Sequence, residues 1–449
     1  MIPDFTKFGI AMPEVLLPNP RVDLANWSVI ACDQFTSEPD YWEQVSRIVG
    51  QAPSTLKMIF PEIYLERGDA AERITTIQNT MREYLDQGIL MPQPPGFIYL
   101  ERRTGSGVRR GLMVALDLEY YDYRPGSQSF IRATEGTVLE RIPPRVRIRS
   151  GALLELPHIM VLIDDPGRGV IEPLGMNRDR MKRIYHTELM MDGGEISGYR
   201  IDTPELLAGI WNGLAELGAP DSLERKYGPE GQYPFLFAVG DGNHSLATAK
   251  TVWEELKRSR PQVSNIPGYP ARYALVELVN LHDPALQFEP IHRVIFGVNP
   301  EEFWDAMQHY YESLGAIVTR EEFNDPETAS IRIQSESSTK GQSIVYSSGL
   351  NSGIIHIISA PHLLEAGTLQ MFLDHYKMQN PGVSIDYIHG SSVVKQLTAE
   401  SGNIGFYLPP FDKNTLFPAV ISAGVLPRKT FSMGEAVEKR YYMECRRIL

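Results

Sequence analysis

Apolar residues in this chain follow two patterns. Short unbroken runs suit buried strands, and longer stretches with apolar positions three or four residues apart suit one face of a helix. The clearest succession of the two lies between Tyr233 and Arg258. There the apolar run Phe235 to Val239 stops at Gly240-Asp241-Gly242-Asn243-His244-Ser245, after which Leu246, Ala249, Trp253 and Leu256 recur at helical spacing. The pattern predicts a buried strand, a tight polar loop and an amphipathic helix.

The same reading outlines the rest of the chain. A proline-rich arm, Met1 to Asn26, leads to an apolar run ending at Cys32-Asp33. A helix is expected over Asp69 to Gln87, with Ile74, Ile77, Met81 and Tyr84 on one face, Asp69 as its cap and Gly88 as its stop. Gly96 to Arg103 and Arg109 to Glu119 predict a hairpin, and Asp192-Gly193-Gly194 predicts another. The run Ile159 to Ile163 ends in Asp164-Asp165-Pro166, read mainly as a turn. A helix over Thr203 to Leu217 and a strand over Ala271 to Leu281 follow.

Composition shifts near Asn299-Pro300. Beyond it, helices are expected over Glu301 to Leu314, Leu363 to Tyr376, Ser391 to Glu400 and Lys413 to Ala423. Strands are expected at Ile331 to Ile333, Ile344 to Tyr346, Ile354 to Ile358, Ile404 to Leu408 and Tyr441 to Cys445. The expectation is an α+β protein with a mixed-sheet core over residues 1–298 and a second α+β unit over 299–449. At 449 residues the chain exceeds the usual size of one core, which agrees with two units.

Composition then narrows the chemistry. A hydrophobic share of 43% with 22% charged residues belongs to an ordinary globular protein. The net charge of -13, with no long Lys/Arg run, disfavours nucleic acid as a partner. Two cysteines, Cys32 and Cys445, make neither a disulfide framework nor a cysteine zinc site. With no signal peptide and no apolar run of spanning length, a cytoplasmic location and no membrane partner are expected.

The loop Gly240 to Ser245 is the strongest candidate for chemistry. Glycines at Gly240 and Gly242 let the backbone turn sharply and approach a ligand, and the first amides of a helix are unpaired donors at the positive end of its dipole. Such a turn holds anions, phosphate most often. His244 adds a side chain that exchanges its proton near neutral pH. An ordinary strand-to-helix turn capped by Asp241 or Asn243 is the alternative.

Other candidates are weaker. Asp33 lies just past an apolar run, where site carboxylates are common, or caps a helix. In Ile131-Arg132-Ala-Thr134-Glu135-Gly-Thr137 an arginine that can clamp an anion precedes a carboxylate that can act as base or metal ligand. Glu289-Pro-Ile-His292-Arg293 reads as a second histidine-bearing turn. Lys429 and Thr430 close a basic segment, Leu426 to Thr430, in which Lys429 reaches a phosphate or is simply solvated.

These blocks, in this order, resemble one bacterial and archaeal family of conserved domains of unknown function. Arg132, Glu135 and Thr137 match its Ile-Arg-Pro-His-Glu-x-Thr pattern, and Gly240 to Ser245 its Ala-Asp-Gly-His-His-Arg loop. His292 and Arg293 match its Pro-Thr-His-Arg, and Lys429 and Thr430 its Met-Pro-x-Lys-Ser-Thr. The loop is in turn similar to that of the ParB/sulfiredoxin superfamily, which includes nucleotide-binding switches and kinases of free serine.

The resemblance implies a phosphate-binding loop at Gly240, Gly242, Asn243 and Ser245, with Asp241, His244 and Glu135 as catalytic candidates. Glu135 and Asp241 become candidate Mg²⁺ ligands. Arg132, Thr137, His292, Arg293, Lys429 and Thr430 become anion contacts, and Asp33 a substrate contact. ATP, ADP or another phosphate donor would supply a phosphoryl group to a small-molecule substrate such as free serine. A nucleotide-binding module without turnover is the alternative, and self-association through the second unit stays open. This chain departs from the pattern at Asn243, which replaces the loop's first histidine, at Ser245, which replaces its arginine, and at Thr134, which replaces the histidine before Glu135. Losing the arginine removes a bidentate phosphate donor, for which Arg293 and Lys429 are the candidate substitutes.

Overall fold

The computed structural model describes residues 2–65, 67–229, 234–335, 341–349 and 351–449. Tyr233, where the central pattern opens, lies outside them. The chain forms two compact units, one of Met1–Gln287, Asn414–Val425 and Ala436–Leu449, the other of Phe288–Lys413 and Leu426–Glu435. Both combine helices with sheet, giving an α+β protein.

The first unit is built on a ten-stranded mixed sheet. Its strands are β1 (Ile10–Ala11), β2 (Phe97–Thr104), β3 (Gly107–Asp117), β4 (Tyr121–Asp122), β5 (Ile131–Ala133), β6 (Met160–Ile163), β7 (Lys182–Leu189), β8 (Gly194–Ile201), β9 (Phe237–Asp241) and β10 (Tyr273–Asn280). They run β7-β8-β2-β3-β10-β6-β9-β5-β4, with β1 paired to β3. Both predicted hairpins are present, β2 with β3 and β7 with β8. The unbroken apolar segments of β6 and β9 are fully buried, as runs covered on both faces should be.

Helix α1 (Ile142–Arg149) packs against α2 (Asn243–Ser259). On α2 the expected face, Leu246, Ala249 and Trp253, is buried. Sequence periodicity did not reveal α1, because Pro143 and Pro144 read as breakers although proline is well suited to a first helical turn.

The C-terminus is woven into the first unit. Cys445–Arg447 pairs with Val15–Pro18 and with Leu154–Glu155 in a small separate sheet, so the last strand begins at Cys445 and not at Tyr441. Before it, Tyr441, Tyr442 and Met443 are core residues.

The second unit holds β11 (Phe288–Phe296), β12 (Ile317–Phe323), β13 (Gln342–Ser348), β14 (Asn351–Ile358), β15 (Ser384–His389), β16 (Asn403–Tyr407) and β17 (Phe431–Met433). The order is β12-β14-β13-β16-β11-β15, with β17 also on β11. Two expectations fail here. Ile331 to Ile333 is helical, inside Pro326–Ser335, because Asp325 accepts from the Thr328 N–H at 2.7 Å and Pro326 opens the helix. The segment Glu289 to Arg293 is strand, not turn. In the first unit, Asp69 caps no amide of its helix and instead takes Arg73 at 2.8 Å. Among the described residues no helix is long and apolar enough to cross a membrane.

Candidate functional site

Strands β5 and β9 run parallel, with Ala133 opposite Val239, so the segments that follow them leave the sheet at the same end. Parallel strand ends are where ligands bind in open sheets. Strand β6 runs antiparallel to β9, with Met160 opposite Asp241, so the residues that precede β6 arrive at that end too. Three segments far apart in sequence therefore meet: 134–138, 241–245 and 157–159.

Gly242 is the hinge of the turn. It has φ +80°, a left-handed value that side chains resist, and a Cβ there would lie 3.0 Å from Ile159 Cγ1 and 3.1 Å from its Cα. The N-cap residue of α2 is Gly242, which has no side chain with which to cap it. The Leu246 N–H closes the first helical bond to the Gly242 carbonyl at 3.0 Å. The amides of residues 243–245 thus open the helix ahead of its own hydrogen-bond ladder, the arrangement that favours an anion.

Each loop side chain has a definite use. Asp241 Oδ1 accepts the Gly242 N–H at 2.9 Å, and Oδ2 lies 3.1 Å from the buried Lys439 ammonium. Asn243 is buried: its Nδ2 donates to Val239 O at 3.3 Å and lies 3.4 Å from Thr134 Oγ1, while its Oδ1 accepts the Thr134 N–H at 3.3 Å. Thr134 Oγ1 donates to Val239 O at 2.6 Å. The Thr134 to Asn243 link pins the 134–138 segment to the loop. His244 Nε2 accepts the Val138 N–H at 3.2 Å. Glu135, partly buried, stands between Thr134 and that contact. Thr137 Oγ1 is buried with no hydrogen-bond partner among the described residues, a cost that a bound ligand would remove.

Ser245 starts a polar chain. Its Oγ lies 2.8 Å from His158 Nε2, His158 Nδ1 lies 2.8 Å from the Tyr442 hydroxyl, and that hydroxyl accepts the Cys32 N–H at 3.1 Å. The assignment that satisfies every group has Tyr442 donating to Nδ1 and His158 donating from Nε2 to Ser245. Asp33 is 3.9 Å from His158 Nε2, so the expected substrate carboxylate and the loop serine share one histidine. Arg132 is buried. Its Nε donates to Ser129 O at 2.9 Å, its guanidinium lies over the Phe235 ring, and burial lowers its pKa from the usual guanidinium value.

The remaining candidates belong to the second unit. His292 sits within β11, where Nδ1 accepts the Leu408 N–H at 3.1 Å. Burial, followed by the charges of Arg293 and His389, lowers its pKa to about 4, so the ring is neutral at neutral pH. Arg293 is fully buried and donates to the carbonyls of Ile291 and Arg428. That second bond ties it to the 426–430 segment, where Thr430 Oγ1 donates to Pro427 O at 2.6 Å and Lys429 is exposed with φ +56°.

Sequence reading missed His158, Tyr442 and Lys439. His158 precedes the apolar run of β6, whose far end, Asp164-Asp165, drew attention instead; only the antiparallel direction of β6 brings its near end to the loop. Lys439 and Tyr442 lie in the C-terminal tail, some two hundred residues from the loop, and no local pattern marks them.

Among the described residues no group of three or more His, Cys, Asp or Glu side chains is disposed to hold a metal. Asp241 could serve one only by exchanging its contact with Lys439.

Several solved structures are similar to this chain at low identity. A free serine kinase in complex with AMP is 11% identical, with 75% of this chain and 92% of that chain covered and a TM-score of 0.39. A conserved hypothetical protein from Pyrococcus furiosus is 12% identical, with coverage of 74% and 90% and a TM-score of 0.36. SbnI with C-terminal truncation from Staphylococcus aureus is 10% identical, with coverage of 72% and 82% and a TM-score of 0.36. No curated protein matches the chain in sequence. A family described as a protein of unknown function, DUF1015, matches residues 14–376, and the chain belongs to that family.

Proposed function

We propose that the protein is a phosphotransferase that moves a phosphoryl group from a nucleotide or other phosphate donor to a small hydroxylated metabolite such as free serine. The observation that carries the reading is the start of α2 behind Gly242, an N-cap without a side chain, pinned against a segment that bears Glu135 and the Thr137 hydroxyl, which has no partner among the described residues. Phosphoryl transfer asks the protein for little covalent chemistry and much positioning and charge stabilisation. The amides of residues 243–245 cradle the donor phosphates. The acceptor oxygen bonds to phosphorus as the donor's phosphorus–oxygen bond breaks, and Glu135 takes the hydroxyl proton. A Mg²⁺ ion bound with the donor would neutralise phosphate charge, and Glu135 and Asp241 are the carboxylates that would hold it.

Incubating the purified protein with labelled ATP, ADP or pyrophosphate, a panel of hydroxylated acceptors and Mg²⁺ or Mn²⁺ tests the reading. Transfer above background is expected, and its absence with every pair overturns it. A second reading, a nucleotide-binding module without turnover, draws on Asn243, whose side chain is spent on Thr134 and Val239. Calorimetry showing saturable nucleotide binding together with no transfer favours the module.

A further inference from the structure

Beside Ser245 the first unit contains a cavity of about 150 Å³. Its walls are mostly apolar, with Met58, Phe60, Met81, Ile148, Ala152 and Leu275 among them. Ser245 and Thr248 of α2 line it as well. A continuous polar seam crosses the lining. Arg145 pairs with Glu62, the Glu62 N–H donates to Cys32 O at 2.8 Å, and from Cys32 the chain through Tyr442 and His158 runs to Ser245. Asp33 stands at the histidine end, 3.9 Å from His158 Nε2. Burial, followed by the charge of Asp33, raises the Glu62 carboxyl above its ordinary value. The seam holds two carboxyl groups, Asp33 and Glu62, against the Arg145 guanidinium, while Arg149 and Glu155 of the lining pair with each other, a balance that attracts an ammonium group.

We infer that this cavity is the acceptor pocket and that it selects a hydroxylated amine with an apolar body, larger than serine. The hydroxyl faces Ser245 and His158, the ammonium faces Asp33 and Glu62, and the apolar body fills the space behind. Engineered apolar cavities of about this size take benzene, so a phenyl or branched alkyl group fits. The role as acceptor rests on the phosphotransferase reading of the adjacent loop, whereas occupancy of the pocket does not.

Titration calorimetry on the full chain with serine, threonine, 3-hydroxyleucine and 3-phenylserine, and with 3-hydroxy-3-phenylpropionate as the amine-free counterpart, reads binding without turnover. Affinity is expected to rise about fourfold per buried methylene, and 3-phenylserine to bind more than about tenfold tighter than serine or the amine-free compound. Ala152→Phe and Ile148→Trp each fill the cavity and should weaken 3-phenylserine about tenfold while the melting transition and nucleotide affinity are kept; two variants guard against one misfolding. An affinity series that is flat or falls with size, or indifference to both variants, overturns the pocket. Transfer measured in parallel separates the two ideas. Transfer with a flat acceptor series removes the pocket alone, and ordered binding without transfer removes the phosphotransferase reading alone.

Discussion

The backbone N–H of Val138 donates to Nε2 of His244 across 3.2 Å, joining the segment that follows Glu135 to the first turn of α2. Because Nε2 accepts, the neutral imidazole carries its proton on Nδ1. His244→Ala removes the acceptor and strands the amide, at about 1 kcal/mol of stability. If His244 also works on the phosphoryl group, turnover falls a further hundredfold or so. Steady-state kinetics beside a chemical melt separate the effects, and unchanged kcat would remove His244 from the chemistry.

Gly242→Ala should cost about 1–3 kcal/mol, because a Cβ is strained at φ +80° and presses on Ile159. Displacing this turn also moves the amides of residues 243–245. Nucleotide affinity is therefore expected to drop by more than the same substitution costs at Gly209, a helical glycine with nothing within 4 Å of its Cβ position.

Thr137→Val removes a buried hydroxyl that lacks a partner among the described residues, so the folded protein should be equally stable or slightly more so. If a bound nucleotide uses that hydroxyl, affinity drops by about three- to tenfold. Calorimetry and a thermal melt on the same sample give both numbers. A stabilised variant with undiminished affinity would show that the ligand passes Thr137 by.

His292 makes the second unit sensitive to acid. Its pKa is lowered from 6.5 to about 4, so between those values the unfolded chain binds the proton and the folded one does not. Stability therefore falls as pH drops from about 6.5 towards 4, by up to about 3 kcal/mol, and is flat in this respect above 6.5. Denaturant unfolding at pH 7.5 and pH 5 should show the loss, and His292→Gln should remove the part of the difference that this ring contributes.

Arg440 bridges two buried carboxylates, Glu277 at 2.6 Å and Glu444, and its Nε donates to Pro157 O at 3.0 Å. Arg440→Met removes the nearest cation from both, leaving Glu277 with Arg109 at 3.6 Å and Glu444 with the Tyr185 hydroxyl, and should cost about 3–5 kcal/mol. The deficit should shrink in acid, because protonating the two carboxylates relieves it. A variant that melts like the parent at neutral pH would contradict this account of how the tail is held.

What the amino-acid pattern settled by itself was local. The strand, turn and helix around Gly242 were legible because apolar periodicity and a glycine act over a few residues, as were both hairpins and the buried face of α2. The family resemblance was legible for a related reason, since its motifs are short and ordered. Direction and partnership were not. Nothing in Ile159 to Ile163 says that the strand runs antiparallel to β9, yet that choice delivers His158 to Ser245. Nothing in the tail says that Lys439 will face Asp241. The alternating Ile331 and Ile333 read as strand until Asp325 and Pro326 set a helix start, and His292 read as a turn residue although it is paired into a sheet. Helix and turn preferences are decided by neighbours along the chain. Strand order, strand direction and the burial of a charge are decided by segments distant along the chain, and only the packed molecule brings those together.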